Sequence, residues 1–212
     1  QITDGMAKAI TEEIKLVEDE LRVPALTLKE AEEKGLLIWL GEEVLNAYLE
    51  KTKGLVLRPD IIEGISTELQ IVYTPLHGTG YIPVKRLLRE VGFKNVHIVP
   101  EQAEPDPDFS TVKYPNPEEH EAFTLALDLA QKVQADIVLG TDPDADRLGV
   151  AVRDEKGEYV ILTGNQIGAL MIDYILEMRK FNGSLPANGI VVKTIVTSRL
   201  GVEIAKKYGD RI

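Results

Sequence analysis

Residues 136–147 read DIVLGTDPDADR, an apolar strand that leads directly into a turn with aspartates at three alternate positions. The predicted strand covers residues 136–139, and the turn contains Asp142, Asp144 and Asp146. A short apolar run that is bounded by turn residues is typical of a buried strand. This stretch therefore predicts a sheet with an acidic loop at the edge where the strand ends.

Strand-like and helix-like segments alternate on both sides of this stretch, from residue 69 to residue 208. Such alternation favours an α/β fold, a layered sheet with helices on its faces. The predicted strands are 69–73, 95–99, 136–139, 148–152, 159–162 and 190–192, and the predicted helices are 81–90, 118–133, 166–178 and 198–208. The segment 100–117 contains five prolines and is predicted to be an irregular loop.

The first part of the chain is predicted to be helical. Apolar residues recur every three or four positions from residue 3 to about residue 20, which indicates an amphipathic helix. Thr27 can cap a second short helix, and a third helix is predicted over 42–53. Trp39, which lies in an apolar run, is predicted to be a buried anchor of this helical segment.

The acidic loop is a candidate metal site. In an extended segment alternate side chains point the same way, so the three carboxylates would converge at about 6 to 7 Å from one another. Such neighbours repel by ~3 kcal/mol at an effective dielectric constant of 20. Three hard oxygen ligands suit Mg²⁺, which completes its octahedron with water or a phosphate oxygen. We therefore predict that Asp142, Asp144 and Asp146 bind Mg²⁺, while the guanidinium of Arg147 can bind a phosphate or a sugar hydroxyl.

Other interpretations of the acidic loop make different demands on the sequence. An EF-hand that begins at Asp142 fails, because it needs Gly and Glu where Arg147 and Arg153 stand. A haloacid-dehalogenase-like phosphatase would use Asp142 as its nucleophile, but its motif has Thr or Val at the position of Asp146. That phosphatase stays open as an alternative, as does a non-catalytic binding module in which the acidic loop is only a solvated turn.

The composition excludes further classes of protein. The 24 Lys and Arg residues against 35 Asp and Glu residues give a net charge of −11, which argues against a nucleic-acid partner. The chain has no cysteine, so disulfides and thiolate metal sites are excluded. No apolar run is long enough to cross a bilayer, and no signal peptide follows Gln1. We expect a segment of a longer cytoplasmic protein with no membrane partner.

Five stretches of the chain, taken together, resemble one known family. They are TDPDADR at 141–147, TPLHGTG at 74–80, YPNPE at 114–118, TGNQ at 163–166 and KTIVTS at 193–198. The resemblance is to the α-D-phosphohexomutase superfamily, and most of all to its phosphoglucomutase/phosphomannomutase branch.

This resemblance implies a four-domain isomerase that acts as an intramolecular phosphotransferase. In the family, a serine of the first domain carries a phosphoryl group and exchanges it with the 1- and 6-positions of a hexose through a bisphosphate intermediate. The Asp-x-Asp-x-Asp loop of the second domain holds Mg²⁺. By resemblance, Asp142, Asp144 and Asp146 are the metal ligands, Arg147 faces the phosphosugar substrate, and the phosphoserine is expected before Gln1.

The same resemblance implies a division of the chain. Residues 1–40 would be the end of domain one and a helical linker, 41–162 the metal-binding α/β domain two, and 163–212 the beginning of domain three. The family's phosphoserine loop and the binding loops of domains three and four do not occur in the sequence. We therefore expect this segment to be inactive alone and to act with the remaining domains of its parent chain.

A few other residues were candidates for a role. His77 lies in the turn at 74–80 and is predicted to pack there rather than to bind an anion. His97 is predicted to face solvent or a packed helix, and Lys193 is a candidate to reach the active site from domain three. The turn at 78–80 lacks the spacing and the lysine of a P-loop, so ATP binding is not predicted.

Overall fold

The computed structural model describes residues 2–209, and the chain divides into two compact units, Gln1–Val44 and Leu45–Ile212. The outer ends of the predicted flanking segments, Gln1 and residues 210–212, lie outside the described residues. Among the described residues, none of the helices has both the length and the apolar character that crossing a membrane requires.

The first unit is made of short helices. They are α1 (Asp4–Lys15) and α2 (Leu28–Glu33), with a 3₁₀ turn at Glu20–Arg22 between them. Thr27 caps α2 as predicted, because its hydroxyl accepts from the Glu30 N–H while the Glu30 carboxylate accepts from the Thr27 N–H. None of the described residues of this unit is buried.

The prediction that Trp39 is a buried anchor is wrong. Its side chain is 68% exposed, and its indole N–H donates to the carboxylate of Glu32. An apolar run indicates burial only where another element lies over it, and no such element covers Trp39 among the described residues of this unit.

The second unit is built on a five-stranded sheet with strand order β2-β1-β3-β4-β5. The strands are β1 (Gln70–Thr74), β2 (Asn95–Ile98), β3 (Ile137–Thr141), β4 (Leu148–Arg153) and β5 (Tyr159–Leu162). β1 pairs in parallel with β2 and β3, whereas β3–β4 and β4–β5 are antiparallel hairpins. The predicted α/β fold is confirmed, and β1 and β3 end at the same edge of the sheet.

Helices connect and cover these strands. They are α3 (Glu42–Lys53), α4 (Pro59–Ile65), α5 (Tyr81–Glu90), α6 (Thr124–Val133), α7 (Gly164–Phe181) and α8 (Leu200–Lys207). The predicted bounds of α3, α5 and β5 are confirmed. The helix predicted over 118–133 begins as a 3₁₀ turn, His120–Phe123, and becomes α-helical only at Thr124. The helix α4 was not predicted from the sequence.

The core lies between α6 and the centre of the sheet. Val72, Val138 and Ala151 from β1, β3 and β4 are fully buried against Phe123 and the α6 alanines. Small residues at 126 and 130 let the helix approach the strands closely. A second cluster contains Leu76, Val112 and Ala122, with Phe109 packed against it. This second cluster joins the turn after β1 to the long loop 100–117.

The strand predicted over 190–192 does not form. Only Ile190 makes a β-bridge, and Val192 is exposed. A strand needs a neighbour for its backbone N–H and C=O groups, and among the described residues no second strand pairs along this segment. The apolar character of the run predicts a strand but does not reveal whether a partner is available.

Candidate metal centre

The acidic loop connects the two antiparallel strands β3 and β4. Thr141 is the last residue of β3, and it pairs with Leu148, the first residue of β4. Residues 142–147 therefore form a compact hairpin loop, which we call the acidic turn. It projects from the carboxyl end of β3, beside the carboxyl end of the parallel strand β1.

The acidic turn is not the extended segment that the sequence predicted. The Ala145 N–H donates to the Asp142 carbonyl at 3.0 Å, and Ala145 has a left-handed backbone with φ of 59°. This reversal brings carboxylate oxygens of Asp142, Asp144 and Asp146 to within 4.8 Å of one another, closer than the 6–7 Å expected of an extended chain. The convergence comes from a folded turn rather than from strand alternation.

The three carboxylates differ in how they are held. Asp142 is 8% exposed, and its Oδ1 accepts the backbone N–H of Arg147 at 3.0 Å, which fixes its orientation. Asp144 and Asp146 are exposed. The cluster thus has one anchored carboxylate and two that can adjust to a ligand.

Electrostatic repulsion within the cluster is visible in Asp146. Its pKa is raised above the ordinary value, first by the negative charge of Asp144 and then by that of Asp142, and it is lowered only in part by Arg147. The Arg147 Nε lies 3.8 Å from Asp142 Oδ2 and 3.9 Å from Asp146 Oδ1, which are long distances for ion pairs. One guanidinium at this range leaves the three carboxylates with excess negative charge.

A buried hydroxyl pair joins the two strands just below the turn. The Tyr73 hydroxyl, near the end of β1, lies 2.8 Å from the Thr141 Oγ1 at the end of β3. Burial raises the pKa of Tyr73 to about 12. This contact fixes the strand end from which Asp142 continues.

The turn after β1, residues 75–80, supports the acidic turn from its side. The Thr79 N–H donates to the Pro143 carbonyl at 2.8 Å, and the Thr79 hydroxyl donates to the same oxygen at 3.1 Å. A Cβ on Gly78 would lie 2.4 Å from the Pro143 Cα, so only glycine fits there. Sequence reasoning missed this contact, although the glycines at 78 and 80 are a signal of close backbone approach.

Other residues that the sequence singled out lie in different surroundings. The His97 Nε2 lies 2.9 Å from the Gln70 Oε1 at the start of β1. The Lys193 ammonium donates to the carbonyls of Thr194 and Thr197, at 2.8 and 3.0 Å. The structure therefore gives Lys193 partners in its own loop.

A cleft of about 630 Å³ opens beside the start of β4. Leu148 and Gly149, which follow Arg147 directly, form part of its wall. Its polar lining comes from Glu118 and His120 and from residues at the start of α7, among them Thr163 and Asn165. Sequence reasoning assigned no role to this cleft, because its walls come from segments far apart in the chain.

Comparison with known proteins identifies a family that this chain matches. Residues 46–157 match the family described as "Phosphoglucomutase/phosphomannomutase, alpha/beta/alpha domain II". A phosphoglucomutase of Staphylococcus haemolyticus is 39% identical over 169 residues, which cover 80% of this chain and 29% of that protein. A phosphoglucomutase of Staphylococcus epidermidis is 37% identical over 188 residues, which cover 89% of this chain and 32% of that protein.

The fold is also found among solved structures. A phosphoglucomutase/phosphomannomutase family protein from Burkholderia thailandensis superposes with a TM-score of 0.52 at 19% identity, covering 73% of this chain and 32% of that one. The chain thus spans about a third of the length of the proteins it matches. The match to the family description extends over more than half of the 212 residues, and it shows that the chain belongs to the phosphoglucomutase/phosphomannomutase family.

Proposed function

We propose that this chain supplies the magnesium-binding α/β domain of a phosphohexomutase. The parent enzyme would interconvert hexose 1-phosphate and hexose 6-phosphate through a phosphoserine and a bisphosphate intermediate. The observation that carries the proposal is the acidic turn, in which three carboxylates converge within 4.8 Å in a chain of this family. Because the chain spans about a third of its relatives, the phosphoserine and most of the sugar site would lie in other domains.

The acidic turn fits Mg²⁺ by its chemistry. The three groups offer only carboxylate oxygens, which are the ligands this ion prefers. Because Asp144 and Asp146 are exposed, the site has room for water or a phosphate oxygen as a further ligand. When bound there, Mg²⁺ would supply positive charge that neutralises oxygens of the transferring phosphoryl group.

The protein's own residues have separate tasks in this proposal. Asp142, held by the Arg147 N–H, is the fixed ligand that sets the position of the site. The Arg147 side chain is 56% exposed, and its two ion pairs within the described part of the chain are long, so its guanidinium is available to bind a phosphate or a sugar hydroxyl. The hydroxyl pair of Tyr73 and Thr141 keeps the underlying strands in register.

The division of the chain belongs to the same proposal. Residues 1–40 would complete domain one and its linker, 41–162 would form the metal-binding domain two, and 163–212 would begin domain three. The segment would be inactive alone. A phosphosugar and the remaining domains of the parent chain would be its partners, and the cytoplasm its compartment.

The phosphatase alternative gains no support from the structure or from the relatives. Asp142 would be its nucleophile, yet this carboxylate is nearly buried and already accepts the Arg147 N–H. The relatives reported above are named phosphoglucomutases. Turnover of p-nitrophenyl phosphate by the chain alone would favour the phosphatase, whereas we expect none.

The alternative of a non-catalytic module predicts that Mg²⁺ has no effect on the melting temperature.

Calorimetric titration with Mg²⁺ tests the proposal. We expect weak binding by the wild-type chain, because no phosphoserine oxygen is present, and a loss of about tenfold or more in Asp144→Asn. Asp128→Asn is the matched control, since it makes the same change at an exposed position of α6. Equal Mg²⁺ affinity in the wild type and Asp144→Asn would contradict the proposed site, and a loss in Asp128→Asn would indicate only an effect of net charge.

A further inference from the structure

The His77 side chain lies between the turn after β1 and the loop 100–117. The residue is 7% exposed, with Nδ1 at 2.9 Å from the Glu104 carbonyl oxygen and Nε2 at 2.7 Å from the Thr111 Oγ1. A carbonyl oxygen can only accept, so Nδ1 carries the proton and donates to it. In the neutral ring Nε2 then accepts from the Thr111 hydroxyl. His77 therefore connects two points of the loop.

The hydrogen bonds continue from Thr111 through a buried glutamine. The Gln102 Nε2 donates to the Thr111 Oγ1 at 3.2 Å, and the Gln102 Oε1 accepts from the Thr74 hydroxyl at 2.6 Å. Gln102 is 1% exposed, and among the described residues no buried side-chain nitrogen or oxygen lacks a partner. The series from Thr74 through Gln102 and Thr111 to His77 is thus continuous, with each side chain bonded to the next.

The backbone at this point needs such support. Leu76 and His77 have left-handed backbones, with φ of 47° and 63°. Leucine rarely adopts this conformation, whereas histidine adopts it more often than most residues do. The His77 N–H donates to the Gln102 carbonyl at 2.9 Å, and the His77 ring packs edge-on against Phe109. Contacts from the loop 100–117 therefore hold a conformation that the local sequence disfavours.

The supported turn contacts the acidic turn directly. Gly78 and Thr79, which follow His77, touch Pro143, the residue between Asp142 and Asp144. The Pro143 carbonyl accepts both the N–H and the hydroxyl of Thr79. The position of Pro143, and with it the spacing of the two aspartates, depends on where the turn after β1 is held.

We propose that His77 is a positioning residue for the acidic turn. It acts through Gly78 and Thr79 on Pro143, and it keeps Asp142 and Asp144 at the separation that binds a divalent cation. The part of this inference that concerns the cation rests on the proposed function. The part that concerns the shape of the turn rests on the contacts alone, so the two can be tested separately.

The test uses the whole 212-residue chain and two variants that break the series of hydrogen bonds. His77→Asn keeps a residue that tolerates a left-handed backbone but removes the ring. Thr111→Val removes the shared hydroxyl at a surface residue, so the fold should persist. Thr111→Ser restores the hydroxyl and should restore the wild-type behaviour. His97→Asn is the matched control, because it removes a histidine hydrogen bond at another place, the one between β2 and Gln70 of β1.

Amide hydrogen exchange, measured without metal, tests whether the acidic turn keeps its hydrogen bonds. The reporter amides are those of Thr79 and Arg147, which donate to Pro143 and Asp142, and the Val138 amide in β3 reports on the sheet. We expect exchange at Thr79 and Arg147 to accelerate about tenfold or more in His77→Asn and Thr111→Val, with Val138 unchanged. Equal acceleration at all three amides, or the same pattern in His97→Asn, would overturn the positioning role.

Titration with Mg²⁺ then tests the link to the metal. We expect His77→Asn and Thr111→Val to bind Mg²⁺ about tenfold more weakly than the wild type, and Thr111→Ser to match it. Suppose that the wild type binds Mg²⁺ and that Asp144→Asn abolishes this binding. Unchanged Mg²⁺ affinity in His77→Asn would then overturn the inference. If the wild type and Asp144→Asn bind equally, the proposed function fails, and the exchange pattern alone decides whether His77 positions the turn.

Discussion

Two turns lie side by side at the carboxyl ends of β1 and β3, and they are built in opposite ways. In the turn after β1, residues 75–80, all but Thr79 are buried, and no residue is Asp, Glu, Lys or Arg. In the acidic turn, residues 142–147, four of six residues are exposed and four are charged. The parallel pairing of the two strands places these contrasting loops at one edge of the sheet.

The difference shows how a repulsive cluster can be kept in place. The acidic turn has few bonds of its own, and its carboxylates repel one another, as the raised pKa of Asp146 shows. The buried turn is held by hydrogen bonds from His77 to the loop 100–117, and it contacts the acidic turn through Pro143. Support from the neighbouring turn therefore holds the loop in place while Asp144, Asp146 and Arg147 stay exposed.

The contact between the two turns is where we expect the largest effect of a single substitution. In Gly78→Ala the new methyl group would lie 2.4 Å from the Pro143 Cα and 2.6 Å from its carbonyl oxygen, both backbone atoms that cannot move aside cheaply. We expect the free energy of unfolding to fall by about 1–3 kcal/mol, and the Thr79 amide to lose its protection from exchange. Urea denaturation followed by circular dichroism measures the first effect.

Gly168→Ala is the control for this substitution. Gly168 lies inside α7, and a Cβ there would meet nothing within 4 Å. Alanine should therefore stabilise the helix by about 0.5–1 kcal/mol. The two glycine-to-alanine substitutions should thus change the free energy of unfolding in opposite directions. A Gly78→Ala variant as stable as the wild type would show that the two turns do not need to approach each other so closely.

Much of the sheet could be predicted from the sequence because its signals are local. Apolar runs and their bounding turn residues predicted β1 to β5, and the bounds of α5 needed only helical periodicity. The burial of Trp39 and the strand at 190–192 were predicted wrongly for a shared reason. Both depend on whether another element is present to cover or pair with an apolar run, and the run itself carries no such information.

The candidate site also has features that the local sequence predicts and features that it does not. Three aspartates at alternate positions were enough to predict that carboxylates gather, but the left-handed backbone of Ala145 that gathers them has no clear local signal. Support from Gly78 and Thr79 was missed because it joins segments about 65 residues apart. The assignment of Asp142, Asp144, Asp146 and Arg147 to metal and substrate stays a prediction until the titrations are done.

The hydroxyl pair beneath the two turns gives a smaller, pH-dependent effect. Unfolded tyrosine titrates near pH 10, whereas burial raises the pKa of Tyr73 in the folded chain to about 12. The stability contributed by the neutral hydroxyl is therefore complete below about pH 10, and it is lost as the pH rises from there through about 12. Tyr73→Phe should cost about 1 kcal/mol at neutral pH and should flatten this alkaline loss.

Urea denaturation at a series of pH values measures both parts of the Tyr73 prediction. Tyr114→Phe is the control, since Tyr114 is exposed and should leave the stability curve as it is. An alkaline loss of the same steepness in Tyr73→Phe and the wild type would contradict the prediction. It would mean that the buried Tyr73 hydroxyl is not the group responsible for the alkaline loss of stability.

The smallest expected effect is that of Asp146→Asn on the melting temperature. Its sign should change when Mg²⁺ is added. This carboxylate is exposed, with its side chain 71% accessible, and its pKa is raised mainly by the charges of Asp144 and Asp142. Asp146→Asn removes one member of a repulsive set, so without metal the variant should be slightly more stable than the wild type. With excess Mg²⁺ the order should reverse, because the wild type gains binding energy that the variant largely lacks. Melting temperatures in EDTA and in Mg²⁺ give the two values, with Asp128→Asn as the control for net charge. If Asp146→Asn shifted the melting temperature equally in both solutions, the repulsion at the acidic turn would have no connection with a cation, and the contrast between the two turns would be one of packing alone.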